Sequence, residues 1–242
     1  MTDDRPQSPE STPADPEASS SGGPARSGSQ RLQTTIRDLG RRIDAASDAR
    51  YKRQAFRGGL DRGQVAELKR LDPRRETSGT EATFWRLLVD VLEPAGLVDL
   101  TGRAGDPMID EPGEGRESLE IRHWKAILSG MATTAGLNGG RVPAGTAMHR
   151  ADISEARFTK LLRATGDPLF GELRAVASQL RAAGKPFSWL QLAQLVLSER
   201  RPWADAVRRR LAIDYFNPRK PDDTTTDSES VTTSSSQGGT SA

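Results

Sequence analysis

The chain of 242 residues contains no cysteine. This absence excludes disulfide bonds, cysteine-ligated zinc and thiol chemistry. Histidine is also scarce, since His123 and His149 are the only two in the sequence and lie far apart. None of the short motifs that mark zinc proteases, serine hydrolases or phosphate-binding loops occurs. The sequence therefore predicts no catalytic centre, no metal site, no cofactor and no small-molecule substrate, and it favours a binding protein over an enzyme.

Long apolar runs are absent as well. No stretch approaches the ~20 apolar residues that a helix needs to span a bilayer. The N-terminus lacks the basic and apolar regions of a secretory signal. We therefore expect a cytoplasmic protein without a membrane partner.

Three segments have compositions that oppose folding. Residues 1–30 and 219–242 are rich in Ser, Thr, Pro, Gly and acidic residues, so we expect disordered tails. Residues 99–117 combine Gly, Pro and acids, which predicts a long surface loop. The acids of this loop lack the alternating spacing of a calcium site, and we expect them to be solvated.

Helical periodicity fills the N-terminal half of the remaining chain. Apolar residues recur every three or four positions, as on one face of a helix. Asp61 and Thr80 can cap two of these helices. Residues 31–57 fit either a packed helix or a trailing basic arm. The apolar stripes are Leu32, Ile36, Leu39 and Ile43; Val65, Leu68 and Leu71; Phe84, Leu87, Leu88, Val91 and Leu92; and Trp124, Ile127, Leu128 and Met131.

Four further helices are predicted between residues 153 and 216. Asp152 with Glu155 resembles a capping box, Ser188 can cap the third helix, and Pro202 can open the last. We expect the tryptophans to anchor the core, whereas an exposed tryptophan would offer a surface for stacking a base. The apolar stripes are Phe158, Leu161 and Leu162; Leu169, Leu173, Val176 and Leu180; Trp189, Leu192, Ala193 and Val196; and Trp203, Val207, Leu211 and Tyr215.

These patterns predict an all-α fold without strands. We expect two packed helical bundles that are divided near Gly139-Gly140. The first covers residues 31–138 and includes the acidic loop, and the second covers residues 139–218. His123, next to Trp124, is expected to be packed rather than to act as an acid or base.

The charge of this foldable region indicates a polyanionic partner. Residues 31–220 contain 33 basic and 24 acidic residues, although the whole chain has a formal net charge of +2. Six of those bases are lysine. Arginine binds phosphate with two parallel hydrogen bonds, and a basic domain gains affinity by releasing counterions from phosphates.

One predicted helix carries its basic residues on a single face. Arg157, Lys160 and Arg163 lie opposite its apolar stripe, and no acid of the same helix faces them. We predict that these three form the central nucleic-acid-binding face. Further candidates on other helices and on the loop at Gly139-Gly140 are Arg62, Lys69, Arg70, Arg141, Arg174, Arg208 and Arg209. Within the last helix, Arg209 can pair with Asp205 and Arg210 with Asp214.

Five segments follow one another along the chain: LDRGQVAELKRL at 60–71, HWKAILSGMATTAG at 123–136, ARFTKLLRA at 156–164, FSWLQLAQLVL at 187–197 and WADAVRRRLAIDYF at 203–216. In content and order they resemble the CasB family, the small subunit of the type I-E CRISPR surveillance complex, Cascade. Leu211 is a departure, because the family commonly has tryptophan there.

The resemblance implies a non-catalytic helical subunit with a role in antiviral defence. Such a protein is present as two adjacent copies beside the other subunits of a ribonucleoprotein. It contacts guide RNA and target DNA and stabilises the displaced strand. Arginines on helix faces suit this task, because they bind phosphates without reading bases.

Two other classes remain as alternatives. A helix-turn-helix regulator would use residues 173–181 and 189–197, with the second helix reading DNA. That helix is expected to expose Gln191, Gln194 and Ser198 but offers no base before Arg200, which is poor chemistry for guanine recognition. The other alternative is a helical scaffold that binds proteins alone.

Overall fold

A computed structural model describes residues 28–47, 58–76, 80–100 and 118–218. These residues form helices and no strand, which confirms the all-α prediction. Most of both predicted tails and residues 101–117 of the acidic loop lie outside the described residues. The helices are α1 (Gly28–Asp44), α2 (Arg62–Lys69), α3 (Ala82–Leu87), which continues as a π-helical turn (Leu88–Leu92), α4 (Leu119–Thr133), α5 (Ala144–Arg150), α6 (Glu155–Arg163), α7 (Asp167–Ala183), α8 (Leu190–Leu197) and α9 (Ala204–Phe216).

Helix α1 packs on the body of the protein rather than trailing as an arm. Its apolar stripe, Leu32, Ile36, Leu39 and Ile43, is buried. The helix begins at Gly28, three residues before the predicted boundary, and residues 48–57 lie outside the described part of the chain. The hydrophobic period alone could not distinguish a packed helix from a basic arm, because the composition of this segment fits both.

Asp44 fixes the end of α1 against the turn after α4. Its carboxylate accepts hydrogen bonds from the Gly136 amide at 2.7 Å and from the Asn138 amide at 3.0 Å. The Asn138 side chain adds a third bond of 2.6 Å. Burial raises the pKa of Asp44, and these hydrogen bonds oppose the rise without cancelling it.

The sequence predicted the N-terminal cap of α2 correctly but not that of α3. Asp61 forms the expected cap of α2, with Gln64 completing a capping box. The prediction that Thr80 caps α3 is wrong, because this helix begins at Ala82 with Glu81 in the N-cap position. Two hydrogen bonds from Thr83 to the Glu67 carboxylate, at 2.6 and 2.8 Å, tie this start to α2 instead.

Helix α4 is the centre of the fold. It contacts α1, α2, α7 and α8, and its stripe of Trp124, Ile127, Leu128 and Met131 is completely buried. Trp189, before α8, packs against Gly130, where a Cβ would collide with the indole ring. The glycine therefore lets α8 approach α4 closely, as a larger residue would not.

A buried polar network joins the two predicted bundles. The Trp189 indole donates to Thr134 Oγ1 at 2.8 Å, and Thr134 Oγ1 donates to Asn138 Oδ1 at 2.8 Å. Asn138 continues the network to Asp44. The buried apolar residues on both sides of Gly139-Gly140 belong to one cluster. The division into two bundles stays a prediction.

Helix starts in the C-terminal half differ from the expectation. Helix α8 begins at Leu190 with Trp189 rather than Ser188 in the N-cap position, and α9 begins at Ala204, after Pro202. The capping box at Asp152 is wrong, because Ser154 caps α6 through its hydroxyl and Asp152 has a positive φ of 52°. The prediction that Trp203 anchors the core is wrong, since this residue is 57% exposed. It lies in the turn before α9, so its side chain does not follow the apolar stripe of that helix.

Gly145 allows α5 and α9 to cross at short range. A Cβ at this position would clash with the Leu211 carbonyl oxygen and lie 2.9 Å from the Tyr215 nitrogen. Both neighbours are backbone atoms of α9 and cannot rotate away. We expect Gly145→Ala to lower the free energy of unfolding by roughly 1–3 kcal/mol through overpacking, as measured by urea denaturation.

Gly171→Ala in α7 is the matched control for this substitution. Its nearest neighbour is the flexible end of the Arg74 side chain, at 3.2 Å. Alanine also favours a helix more than glycine does. We expect this variant to equal or exceed the stability of the wild-type protein. A Gly145→Ala variant as stable as the control would contradict the close crossing of α5 and α9.

Candidate nucleic-acid interface

Helix α6 is held in one rotational position by its buried side. Phe158 and Leu161 are completely buried. The Phe158 ring stacks on the Tyr215 ring of α9, with centroids 3.9 Å apart and an interplanar angle of 6°. The Tyr215 hydroxyl donates a 2.6 Å hydrogen bond to the Ile153 carbonyl, just before α6. These contacts leave Arg157, Lys160 and Arg163 on the exposed side of the helix, as predicted.

The three cations of α6 differ in their partners. Lys160 Nζ lies 2.6 Å from the Glu172 carboxylate of α7, although the lysine side chain remains 72% exposed. Arg157 and Arg163 have no acid within ion-pair distance among the described residues. The face therefore carries two unmatched guanidinium groups and one lysine that already has a counterion.

A second group of candidates lies on and beside α2. Arg62, Lys69 and Arg70 are exposed, and the stripe of Val65, Leu68 and Leu71 is buried. This helix packs against α3 and α4, with the Ser129 hydroxyl 3.4 Å from the Lys69 carbonyl oxygen. Because α6 packs on α7 instead, the candidates are distributed over several helices rather than gathered in one pocket.

One of the remaining candidate residues already forms an ion pair. Arg141, Arg174 and Arg209 are exposed. Arg208 is half-buried and pairs with Asp205 at 3.2 Å, so the predicted pairing of Asp205 with Arg209 is wrong. A spacing of three along α9 brings Arg208 to this carboxylate. The predicted pair of Arg210 with Asp214 is confirmed, at 3.5 Å.

His123 is packed, as expected, and its partner was missed by sequence reasoning. Its Nε2 atom lies 3.0 Å from Glu199 Oε2, and the two side chains are 7% and 4% exposed. The other carboxylate oxygen of Glu199 accepts a hydrogen bond from the Gly166 amide. Burial raises the pKa of Glu199, but the hydrogen bonds from His123 and Gly166 outweigh it and lower the pKa overall.

Helix α8 is not available as a DNA-reading helix. It contacts α1, α4, α5 and α9. The Gln191 amide donates to Asp214 at 2.6 Å and its oxygen accepts from the Gly145 amide at 3.2 Å. Ser198 is buried and Gln191 and Gln194 are half-buried, so the expected exposure of these three residues is wrong. A helix surrounded in this way cannot enter a major groove, which removes the regulator alternative in its predicted form.

Two features are absent from the part of the chain that the structure describes. No helix there combines the length and the apolar content that crossing a membrane requires. In the same residues, no three acidic or histidine side chains form a group that could hold a metal ion.

The described residues define a helical protein that carries arginines on an exposed helix face. The family model of CRISPR-associated protein Cse2 matches residues 64–216, which is more than half of the chain. The chain belongs to this family, and the resemblance to the small subunit of Cascade is confirmed. It is therefore a subunit of a type I-E CRISPR complex. No curated protein and no solved structure matched the chain.

Proposed function

We propose that this protein is the non-catalytic small subunit of a type I-E CRISPR effector complex and that it binds guide RNA and target DNA through its basic helix faces. In this role it stabilises the displaced strand in antiviral defence. The observation that carries the proposal is the exposed pair Arg157 and Arg163, held outward by the buried Phe158 and Leu161.

The chemistry of this face suits the nucleic-acid backbone rather than the bases. A guanidinium group binds phosphate oxygens with a fixed fork of donors. Phosphate contacts supply affinity without sequence information, and base pairing with the guide supplies specificity in such complexes. A surface that binds any sequence equally is therefore sufficient.

The other candidates contribute in two ways. Lys160 can bind phosphate once it exchanges Glu172 for the new anion, and Arg208 must first leave Asp205. The exposed candidates Arg62, Lys69, Arg70, Arg141, Arg174 and Arg209 extend the basic surface to other helices. Different faces then contact different strands, while the partners include other CRISPR subunits and a second copy of this chain.

Affinity purification of the tagged protein from its host tests this proposal. We expect guide RNA and the large CRISPR subunits to co-purify, and we expect high salt to reduce the nucleic acid retained by the isolated chain. Protein partners without any nucleic acid would instead favour the scaffold alternative. An isolated dimer on a palindromic duplex would favour a transcriptional regulator, and either result would overturn the proposal.

A further inference from the structure

We propose that Trp203 is a stacking platform for an unpaired base of a single-stranded nucleic acid, with Arg201 and Arg210 binding the adjoining phosphates. This inference rests on the proposed function and adds a specific contact to it. Trp203 is 57% exposed, whereas Trp124 and Trp189 are buried and Trp85 is half-buried. An exposed tryptophan ring offers a flat surface on which a base can stack.

The backbone around Trp203 is held firmly although its ring is exposed. The Arg201 amide donates to the Ser198 carbonyl at 2.8 Å, and the Ala204 amide donates to the Arg201 carbonyl at 3.0 Å. The Ala206 amide donates to the Trp203 carbonyl at 3.0 Å, at the start of α9. A ring presented by an ordered turn loses little conformational freedom on binding, which favours stacking.

One arginine borders the ring, and a second is exposed further along α9. The Arg201 guanidinium lies 5.9 Å from the centre of the Trp203 ring, within the range of a cation–π contact. Arg210 lies further along α9, seven residues after Trp203, and it pairs with Asp214 at 3.5 Å. Its side chain is 61% exposed. A strand whose base stacks on Trp203 can place a neighbouring phosphate at Arg201, and a further phosphate can bind Arg210 once that residue exchanges Asp214 for the new anion.

The charges around the platform favour nucleic acid over a protein partner. Residues 198–210 contain five arginines and two acids. Glu199 is turned inward to His123, and Asp205 pairs with Arg208. Within residues 198–210 the exposed charged side chains are therefore four arginines, Arg200, Arg201, Arg209 and Arg210, and one acid, Asp205. This combination of stacking surface and cations is typical of sites that bind single strands without sequence preference.

Binding of a labelled oligothymidylate to the full-length protein tests the platform. We expect Trp203→Ala to weaken binding roughly 5- to 100-fold, the usual effect of removing one stacked base contact. The slope of log affinity against log salt concentration should stay unchanged, because stacking releases no counterions. Trp203→Phe should retain most of the affinity. Val89→Ala, which changes another exposed apolar residue, should have no effect.

Tryptophan fluorescence gives a second readout that does not depend on the alanine variant folding. We expect the oligonucleotide to quench the wild-type emission and to quench Trp203→Phe much less, since the other tryptophans are less exposed. Unchanged affinity of Trp203→Ala, or equal quenching of Trp203→Phe, would overturn the platform while leaving the proposed function intact. A loss of self-association without loss of affinity would assign Trp203 to a protein interface. Failure of the wild-type protein to bind any single strand would overturn both.

Discussion

Reversing the charge of both Arg157 and Arg163 is expected to weaken the binding of the full-length protein to single-stranded RNA or DNA by about 100-fold at ~0.1 M salt. Each substitution removes a phosphate contact and places a carboxylate against the backbone. Because two contacts are lost, the slope of log affinity against log salt should become shallower by about 1.4, which is ~0.7 for each phosphate contact on a single strand. Fluorescence anisotropy titrations at several salt concentrations measure both quantities.

A second double variant separates this face from the net charge of the protein. Arg41→Glu with Arg86→Glu changes two exposed arginines on α1 and α3, and it alters the net charge by the same amount. We expect this control to bind much more tightly than Arg157→Glu with Arg163→Glu. Equal losses in the two variants would show that binding follows total charge and that α6 has no special role.

Replacing Glu199 by alanine is expected to lower the free energy of unfolding by about 2–6 kcal/mol at neutral pH, at ~1–3 kcal/mol for each of two buried donors left unpaired. The substitution leaves the His123 ring nitrogen and the Gly166 amide without their acceptor in a buried position. Glu199→Gln should cost less, about 1–2 kcal/mol, because it retains an oxygen for Gly166. Urea denaturation followed by circular dichroism measures these differences.

The contribution of Glu199 to stability should also depend on pH. Its pKa is lower in the folded protein than the ordinary value of 4.5. The unfolded chain therefore takes up a proton first as the pH falls, so the stabilisation is complete above that ordinary value and is lost through the lower folded pKa. We expect the gap in unfolding free energy between wild type and Glu199→Gln to narrow below about pH 4. A gap that stays constant between pH 7 and that acid range would contradict the buried hydrogen bonds of the Glu199 carboxylate.

The fold was predictable where an apolar period decides which side of a helix is buried. The stripes of α1, α4 and α7 are buried as the sequence predicted. The apolar period does not predict where a helix begins, because a single capping hydrogen bond can determine the first residue. Ser154 caps α6 in place of Asp152, and Trp203 precedes α9 instead of joining its stripe. Patterns along the chain describe a helix interior but not the turn that leads into it.

The candidate site was predictable in its exposure but not in its ion pairs. The sequence placed Arg157 and Arg163 opposite Phe158 by helical geometry alone. It could not show that Glu172 of the next helix reaches Lys160, because only the crossing of α6 and α7 brings them together. The contact between His123 and Glu199 joins residues 76 positions apart and gives no local signal.

The lifetime of the target-bound complex tests most directly whether α6 holds nucleic acid. Complexes reconstituted with guide RNA and either the wild-type subunit or Arg157→Glu with Arg163→Glu would be bound to a target duplex and challenged with competitor DNA. We predict that the α6 variant releases the target about 10-fold faster or more, whereas Arg41→Glu with Arg86→Glu behaves as wild type. Equal lifetimes for the wild-type and α6-variant complexes, with both subunits fully incorporated, would contradict the account.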